Sequence, residues 1–300
     1  MHINRIFGTP PEPVFNMRVA CLSAELLEEA LYVLAEENEK NMDNAWDRQG
    51  FFKGGKPSEY TFSLCKEMEL PPETRFLAIE LFDRFMAKHV CSLYDLIRST
   101  KGVSQKDWTE VENRIKTQLP LRVVSCVQIA SKLISHYKSI TPNKARRFLN
   151  SISCRYSNAS ILKSELRILK TLDYSMLVPT PLTFVETILE ILGHNDSRAQ
   201  VKLLHDTSIK VLDVVYLKHH EIYNKLCMTA TGEKGTSGDR QKLAVLASDH
   251  MLLAVSAIST ASYLTDKSSS DMVIEQLSQI TQISKEDILD FANIILEFIL

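Results

Sequence analysis

Punctuation is scarce in this chain. Its 300 residues include only 9 glycines and 10 prolines, and most of the prolines fall before residue 72 or at the starts of periodic segments. A fold of many short strands needs more of both, so the sequence predicts long helices joined by short turns. Charge of one sign is missing as well: 35 Lys and Arg stand against 37 Asp and Glu, a net of −2. That balance gives no general attraction to nucleic acid or to an anionic membrane, and no direct nucleic-acid binding is expected. The basic cluster Lys144, Arg146 and Arg147 is too small to change this and reads as a solvated helix face. No apolar run reaches membrane-spanning length, because Arg122, Gln128 and Lys132 interrupt the best candidate. The opening MHINRIFGTPPEPVF lacks a continuous apolar core, so no secretory signal is expected.

Cysteine is sparse and scattered. The 6 cysteines form no C-x-x-C and no paired His spacing, and several fall on apolar faces as small hydrophobes. Free thiols suit a reducing compartment, the cytosol or nucleus. The motifs of catalysis are absent too. There is no G-x-G-x-x-G and no G-x-x-x-x-G-K-[ST], and His220-Glu221 continues as Ile222-Tyr223-Asn224, which leaves the H-E-x-x-H zinc pattern without its second ligand. His219 and His220 read as surface residues at a helix end. No catalytic residue, cofactor or metal site is assigned, and an enzyme is not expected.

What is present is helical periodicity. Residues 1–17 are Pro-rich, aperiodic and expected to be flexible. A Ser23-capped helix follows, with Leu26, Leu27, Ala30, Leu31, Val33 and Leu34 as its apolar stripe; it fades into an acidic, Asn-rich stretch before Gly54-Gly55-Lys56-Pro57. Five helices are predicted near 57–69, 73–90, 121–138, 142–150 and 157–172, the fourth opened by Thr141-Pro142. Val178-Pro179-Thr180-Pro181 is a stiff link. Five more follow near 181–193, 197–218, 243–266, 270–281 and 285–300, with the polar TATGEKGTSGDRQ as a mobile, dispensable loop. Residues 91–120 read as an insertion that carries Trp108, Val111, Ile115 and Leu119 at the spacing of one extra amphipathic helix.

Leu121–Tyr137 and Leu243–Leu264 are apolar on nearly every face, which places each at the centre of a bundle. Each is the third of its five. Ala130-Ser131-Lys132-Leu133 echoes Ala261-Ser262-Tyr263-Leu264, a duplication at about 130 residues. The expected architecture is all-α: two tandem five-helix repeats, each around a buried third helix, with an N-terminal helix. The divisions are 1–17, an N-terminal helix and linker over 18–56, a first repeat over 57–178 with the insertion 91–120, and a second over 179–300. The chain stops at Glu297-Phe298-Ile299-Leu300 without a polar tail, so a short isoform or a further C-terminal extension is expected.

Three ordered stretches resemble a cyclin box. ETRFLAIELFDRFM, with Asp83-Arg84-Phe85, resembles its second helix; LRVVSCVQIASKL resembles its third; SILKSELRILKTLDYSMLVPTPLTFVE resembles its fifth and the link beyond. LRVVSCVQIASKL, PTPLTFVETILEILG and LDVVYLKHHEIYNKL are similar, more narrowly, to the cyclin N-terminal-domain-containing proteins that promote meiotic crossover formation. That resemblance implies a nuclear role on meiotic chromosomes (with a cytoplasmic pool also open) and protein partners: a cyclin-dependent kinase, the replication factor C clamp loader and other crossover factors. In cyclins a Lys ending the third helix and a Glu in the fifth grip the kinase. The matching residues here are Lys132 and Glu165, with Leu133 and Leu169 as apolar neighbours. Taken as ordinary residues, Lys132 is a cation facing its own helix dipole and Glu165 a solvated acid. The second copy has Tyr263 for Lys132, and Ala292 or Asn293 for Glu165, whereas charges that served only the fold could have been used in both copies. Two departures stand out. Leu133-Ile134-Ser135-His136 replaces the usual aromatic and two acids, and Phe52-Lys53-Gly54-Gly55-Lys56 stands where substrate-recruiting cyclins carry Met-Arg-Ala-Ile-Leu, so no substrate-docking groove is expected. A crossover scaffold is the first reading, and a kinase-activating cyclin the alternative. Cyclin-repeat transcription factors, which use basic surfaces on DNA, suit this charge less.

Overall fold

The computed structural model describes residues 22–45, 50–99, 105–135, 137–231 and 237–300, and over these the chain is helical without a strand. It divides into two compact units, one built on Phe51–Val178 and the other on Pro179–Leu300 together with the described part of Pro10–Gly50.

The first unit holds five helices: α2 (Lys56–Glu67), α3 (Pro72–Ser99), α4 (Gln105–Ile134), α5 (Pro142–Ser151) and α6 (Asn158–Thr171). All four others pack on α4, which is buried on every side from Leu121 to Ser131. Small residues let them close in: Ala130 and Ser131 are fully enclosed, and the Ser131 hydroxyl accepts from the Ile140 amide at 3.0 Å. Thr141 caps α5 by accepting from the Lys144 amide, with Pro142 at its first position. The Asp83-Arg84-Phe85 run on α3 serves three ends. Asp83 accepts the Phe52 amide at 2.9 Å, and Arg84 reaches the Ser175 carbonyl at 3.0 Å. Phe85 is sealed in the core, where such a ring contributes about 2–3 kcal/mol by its burial.

The described residues of 91–120 form no separate element. They are the far ends of α3 and α4, with the rings of Tyr94 and Trp108 5.3 Å apart. The extra helix read from Trp108 to Leu119 is therefore the first half of α4, which runs straight through Pro120. That proline forfeits one helical hydrogen bond, and the buried turns that follow it hold the helix together.

The second unit is built from α7 (Pro181–Asn195), α8 (Val201–Leu217), α9 (His219–Thr231), α10 (Ser237–Ser248), α11 (His250–Thr265), α12 (Ser270–Thr281) and α13 (Lys285–Ile299), with α1 (Ala24–Asp43) packed on α7, α10 and α11. Its centre is α11, buried from Ser256 through Ser262 and touched by α7, α8, α12 and α13. Three expectations change here. The helix expected over 243–266 is two, because Asp249 caps a new start by accepting from the Leu252 amide, and the chain bends by 67° there. The expected loop over 229–241 is helical at both ends; only 232–236 lie outside the described residues. His219 is no surface residue. It is buried in α9, its ring 4.4 Å from that of Tyr223. Among the described residues no single helix is long and apolar enough to cross a membrane. The bent pair of α10 and α11 passes that test together, and α11 is the packed core of its unit.

The stripe on α1 is narrower than its apolar residues suggest. Leu27, Leu34 and Asn38 are buried, whereas Leu26 and Val33 face outward, because only positions on a 3.6-residue period share one face. Asn38 anchors the helix. Its amide donates to Asp249 at 2.9 Å, and its oxygen accepts the His250 and Met251 amides at 2.9 and 3.2 Å.

Candidate partner-binding face

Lys132 stands in the last turn of α4, and Glu165 stands midway along α6. The packing of these two helices brings the side chains into a direct ion pair. The pair is unequal in exposure. Glu165 is 10% accessible and set into the helix interface, whereas Lys132 is 44% accessible and presents its ammonium outward. A partly exposed pair of this kind adds little to stability by itself, on the order of 1 kcal/mol or less. Its value lies in fixing a cation in one place on a rigid surface.

Apolar side chains surround it. Leu133 is 39% exposed, and Leu169 is half-buried against the core. Two further residues belong here that the sequence did not single out. Leu162 and Leu166, one turn apart on α6, are 49% and 46% exposed. Their i, i+4 spacing was the available signal, but the same spacing also describes a core face. Exposed leucines around a fixed charge are what a protein-binding surface needs, since water excluded from the rim strengthens the polar contacts inside it. The second unit lacks this arrangement: Tyr263 lies under Lys267 at 5.1 Å, Ala292 is buried and Asn293 is exposed.

Next to Glu165, Ser164 belongs to a polar seam between α4 and α6. Arg122, only 7% exposed, donates to the Ser164 hydroxyl at 2.7 Å and to the Gln118 side chain at 2.9 Å. Its guanidinium lies 5.7 Å from the centre of the Phe85 ring, and Ser125 bonds Ser164 at 2.8 Å. In the sequence Arg122 registered only as a break in an apolar run.

Lys53, in the stretch read against the cyclin docking patch, is turned inward and pairs with Glu80 at 2.8 Å, both nearly inaccessible. Burial pushes the Cys65 thiol up to about 12 and raises that of Cys126, so neither serves as a nucleophile. No group of three or more metal-binding side chains converges among the described residues.

The first unit is thus a set of helices wrapped around one central helix, with a charged pair and exposed leucines on its surface, an arrangement suited to binding a protein. The family profile of the cyclin N-terminal domain matches residues 58–177. The chain is 34% identical to mouse cyclin N-terminal domain-containing protein 1 over 94% of its length and 85% of that protein's. The human protein of the same name is 32% identical over 94% and 86%. The fission-yeast G2/mitotic-specific cyclin cdc13 is 24% identical over 50% of this chain and 24% of that cyclin. The chain belongs to the cyclin-like family, among the cyclin N-terminal domain-containing proteins. It is a cyclin-like regulator.

Proposed function

We propose that this chain is a non-catalytic cyclin-like scaffold that promotes the maturation or designation of meiotic crossovers during homologous recombination. It acts in the nucleus, on meiotic chromosomes, through protein partners that include the replication factor C clamp loader and other crossover factors. The reach of the likeness carries this reading. The mouse and human relatives align along 94% of the chain, through both units, whereas cyclins named for the cell cycle align over about half of it. The inward Lys53 and the missing acids after Lys132 also weigh against recruiting substrates for a kinase.

A second reading has its own observation. Lys132 and Glu165 form a direct pair, with Leu133 next to Lys132 in sequence and Leu169 one turn beyond Glu165 on α6, and a cyclin-dependent kinase interface would use these residues. The test is affinity purification from germ cells with mass spectrometry, using wild type and Lys132→Glu/Glu165→Lys, which keeps an internal pair and reverses its field. Clamp-loader subunits without stoichiometric kinase select the scaffold. Stoichiometric kinase that disappears in the variant selects the activating cyclin.

A further inference from the structure

Beside the ion pair, α4 and α6 enclose a second feature. A groove of about 530 Å³ is lined by Arg114, Gln118, Arg122, Tyr156, Lys163 and Arg167 among others, and no carboxylate lines it. Arg114, Lys163 and Arg167 are exposed, and none of them is held by an acid among the described residues. The neighbouring acids do not line the groove: Glu112 pairs with Lys116, Glu165 with Lys132, and Glu110 lines the adjoining cavity, which shares Arg114, Gln118 and Tyr156 with it.

The floor of the groove makes it unusual. Arg122 is a buried cation whose hydrogen-bond partners, Ser164 and Gln118, are neutral. A buried charge without a counter-charge is costly, and folding alone would favour an apolar side chain. The duplicated unit shows that alternative. Aligning Ala130-Ser131 with Ala261-Ser262 sets Arg122 against Leu253, which is buried at 3%. Burial first, and then Arg122 and Arg167, hold the His89 imidazole down to about 4, so the local field is positive beyond the groove itself.

We propose that this groove docks a phosphorylated serine or threonine segment of a protein partner, its phosphoryl group held by Arg114, Lys163 and Arg167 above the buried Arg122. A phosphoryl group carries up to about two negative charges and three acceptor oxygens, which match two guanidinium forks and an ammonium better than one carboxylate does. A long polyanion suits the site less, because the cations are confined to one groove on a chain whose net charge is −2. The inference stands apart from the choice between scaffold and kinase subunit, and its assay needs neither partner.

Short fluorescent degenerate peptides with a central phosphothreonine, and the same pool unphosphorylated, are titrated against the full chain by anisotropy. The expected result is binding of the phosphorylated pool at least about tenfold tighter, competition by inorganic phosphate, and a loss of at least about tenfold in Lys163→Ala/Arg167→Ala with an unchanged melting temperature. Arg114→Ala is the second variant, should the double substitution disturb α6. Equal binding of the two pools, absence of binding at millimolar chain, or undiminished binding in folded variants would overturn the proposal. Displacement of the peptide by a single-stranded oligonucleotide more readily than by phosphate would reassign the groove to nucleic acid.

Discussion

Asn38→Ala removes one side chain and three hydrogen bonds at once. In the second unit that side chain docks α1 on the start of α11, with its oxygen on the His250 and Met251 amides and its nitrogen on the Asp249 carboxylate. Alanine leaves two amides of the first turn of α11 without this acceptor, and Asp249 without a donor. Asn38 is 5% exposed and His250 6%, so water cannot readily substitute. At about 1 kcal/mol for each bond, with more where a buried group is orphaned, the expected cost is about 3 kcal/mol. Urea unfolding followed by circular dichroism measures it, with the m-value checked for constancy. Asn38→Asp sharpens the test. The aspartate keeps both acceptors but places a second carboxylate against Asp249, whose acidity burial already weakens. The two then share a proton in the folded state, raising the folded pKa above the unfolded one, so stability should be greatest at mildly acidic pH and fall as pH rises. A cost below about 1 kcal/mol for the alanine variant would refute the reasoning and leave the docking to apolar burial such as that of Leu27 and Leu34.

Two further outcomes follow from buried ionisable groups in the first unit. His89 is held down to about 4, so between pH 6.5 and 4 the unfolded chain takes up a proton that the folded chain refuses, and stability falls as pH falls through that window. The full shift corresponds to about 3 kcal/mol and screening at a half-buried ring reduces it to about 1–2; His89→Asn should flatten that part of the pH–stability curve by this amount. Lys53→Met removes the buried cation paired with Glu80 and should cost about 3 kcal/mol in the same unfolding assay, whereas Lys53→Met/Glu80→Leu should recover most of the loss.

Where local chemistry determines structure, the sequence was readable. Ser23 and Thr141 cap their helices as their positions suggest, and the all-round apolar stretches read over 121–137 and 243–264 contain the two central helices, buried over 121–131 and 253–262. Lys132 and Glu165 could be singled out from a family pattern, but their direct pairing across 33 residues was not read from it. The misses share a physical cause. Asp249 begins a new helix where no glycine or proline marks a break, and α9 follows α8 across Lys218 with no punctuation either. Pro120 carries the opposite error, a breaker inside a helix that tertiary burial holds intact. Asn38 lies 211 residues from Asp249, and Arg122 lies 42 from Ser164, so neither role has a local signal. Polar residues at such distances declare themselves only through the partner they meet.

Arg122 also allows the needs of the fold to be separated from those of binding. Were it structural, its bonds to Ser164 and Gln118 would tie α4 to α6, and losing them would loosen the unit. Were it kept for the groove, the fold would tolerate the apolar residue that the second unit has at the matching place, Leu253. Arg122→Leu decides between these. Desolvating a guanidinium without a carboxylate costs several kcal/mol that leucine would not incur, and its two charge-assisted hydrogen bonds to neutral acceptors return about 3–6 kcal/mol. The expected result is a stability within about 1 kcal/mol of wild type or above it, with the phosphate-dependent affinity of the groove lost. Leucine also removes a positive neighbour of His89, so the acid limb of the pH–stability curve should soften in the same variant. A loss of more than about 3 kcal/mol would show that the seam is structural and that the positive groove is a by-product of holding α4 to α6.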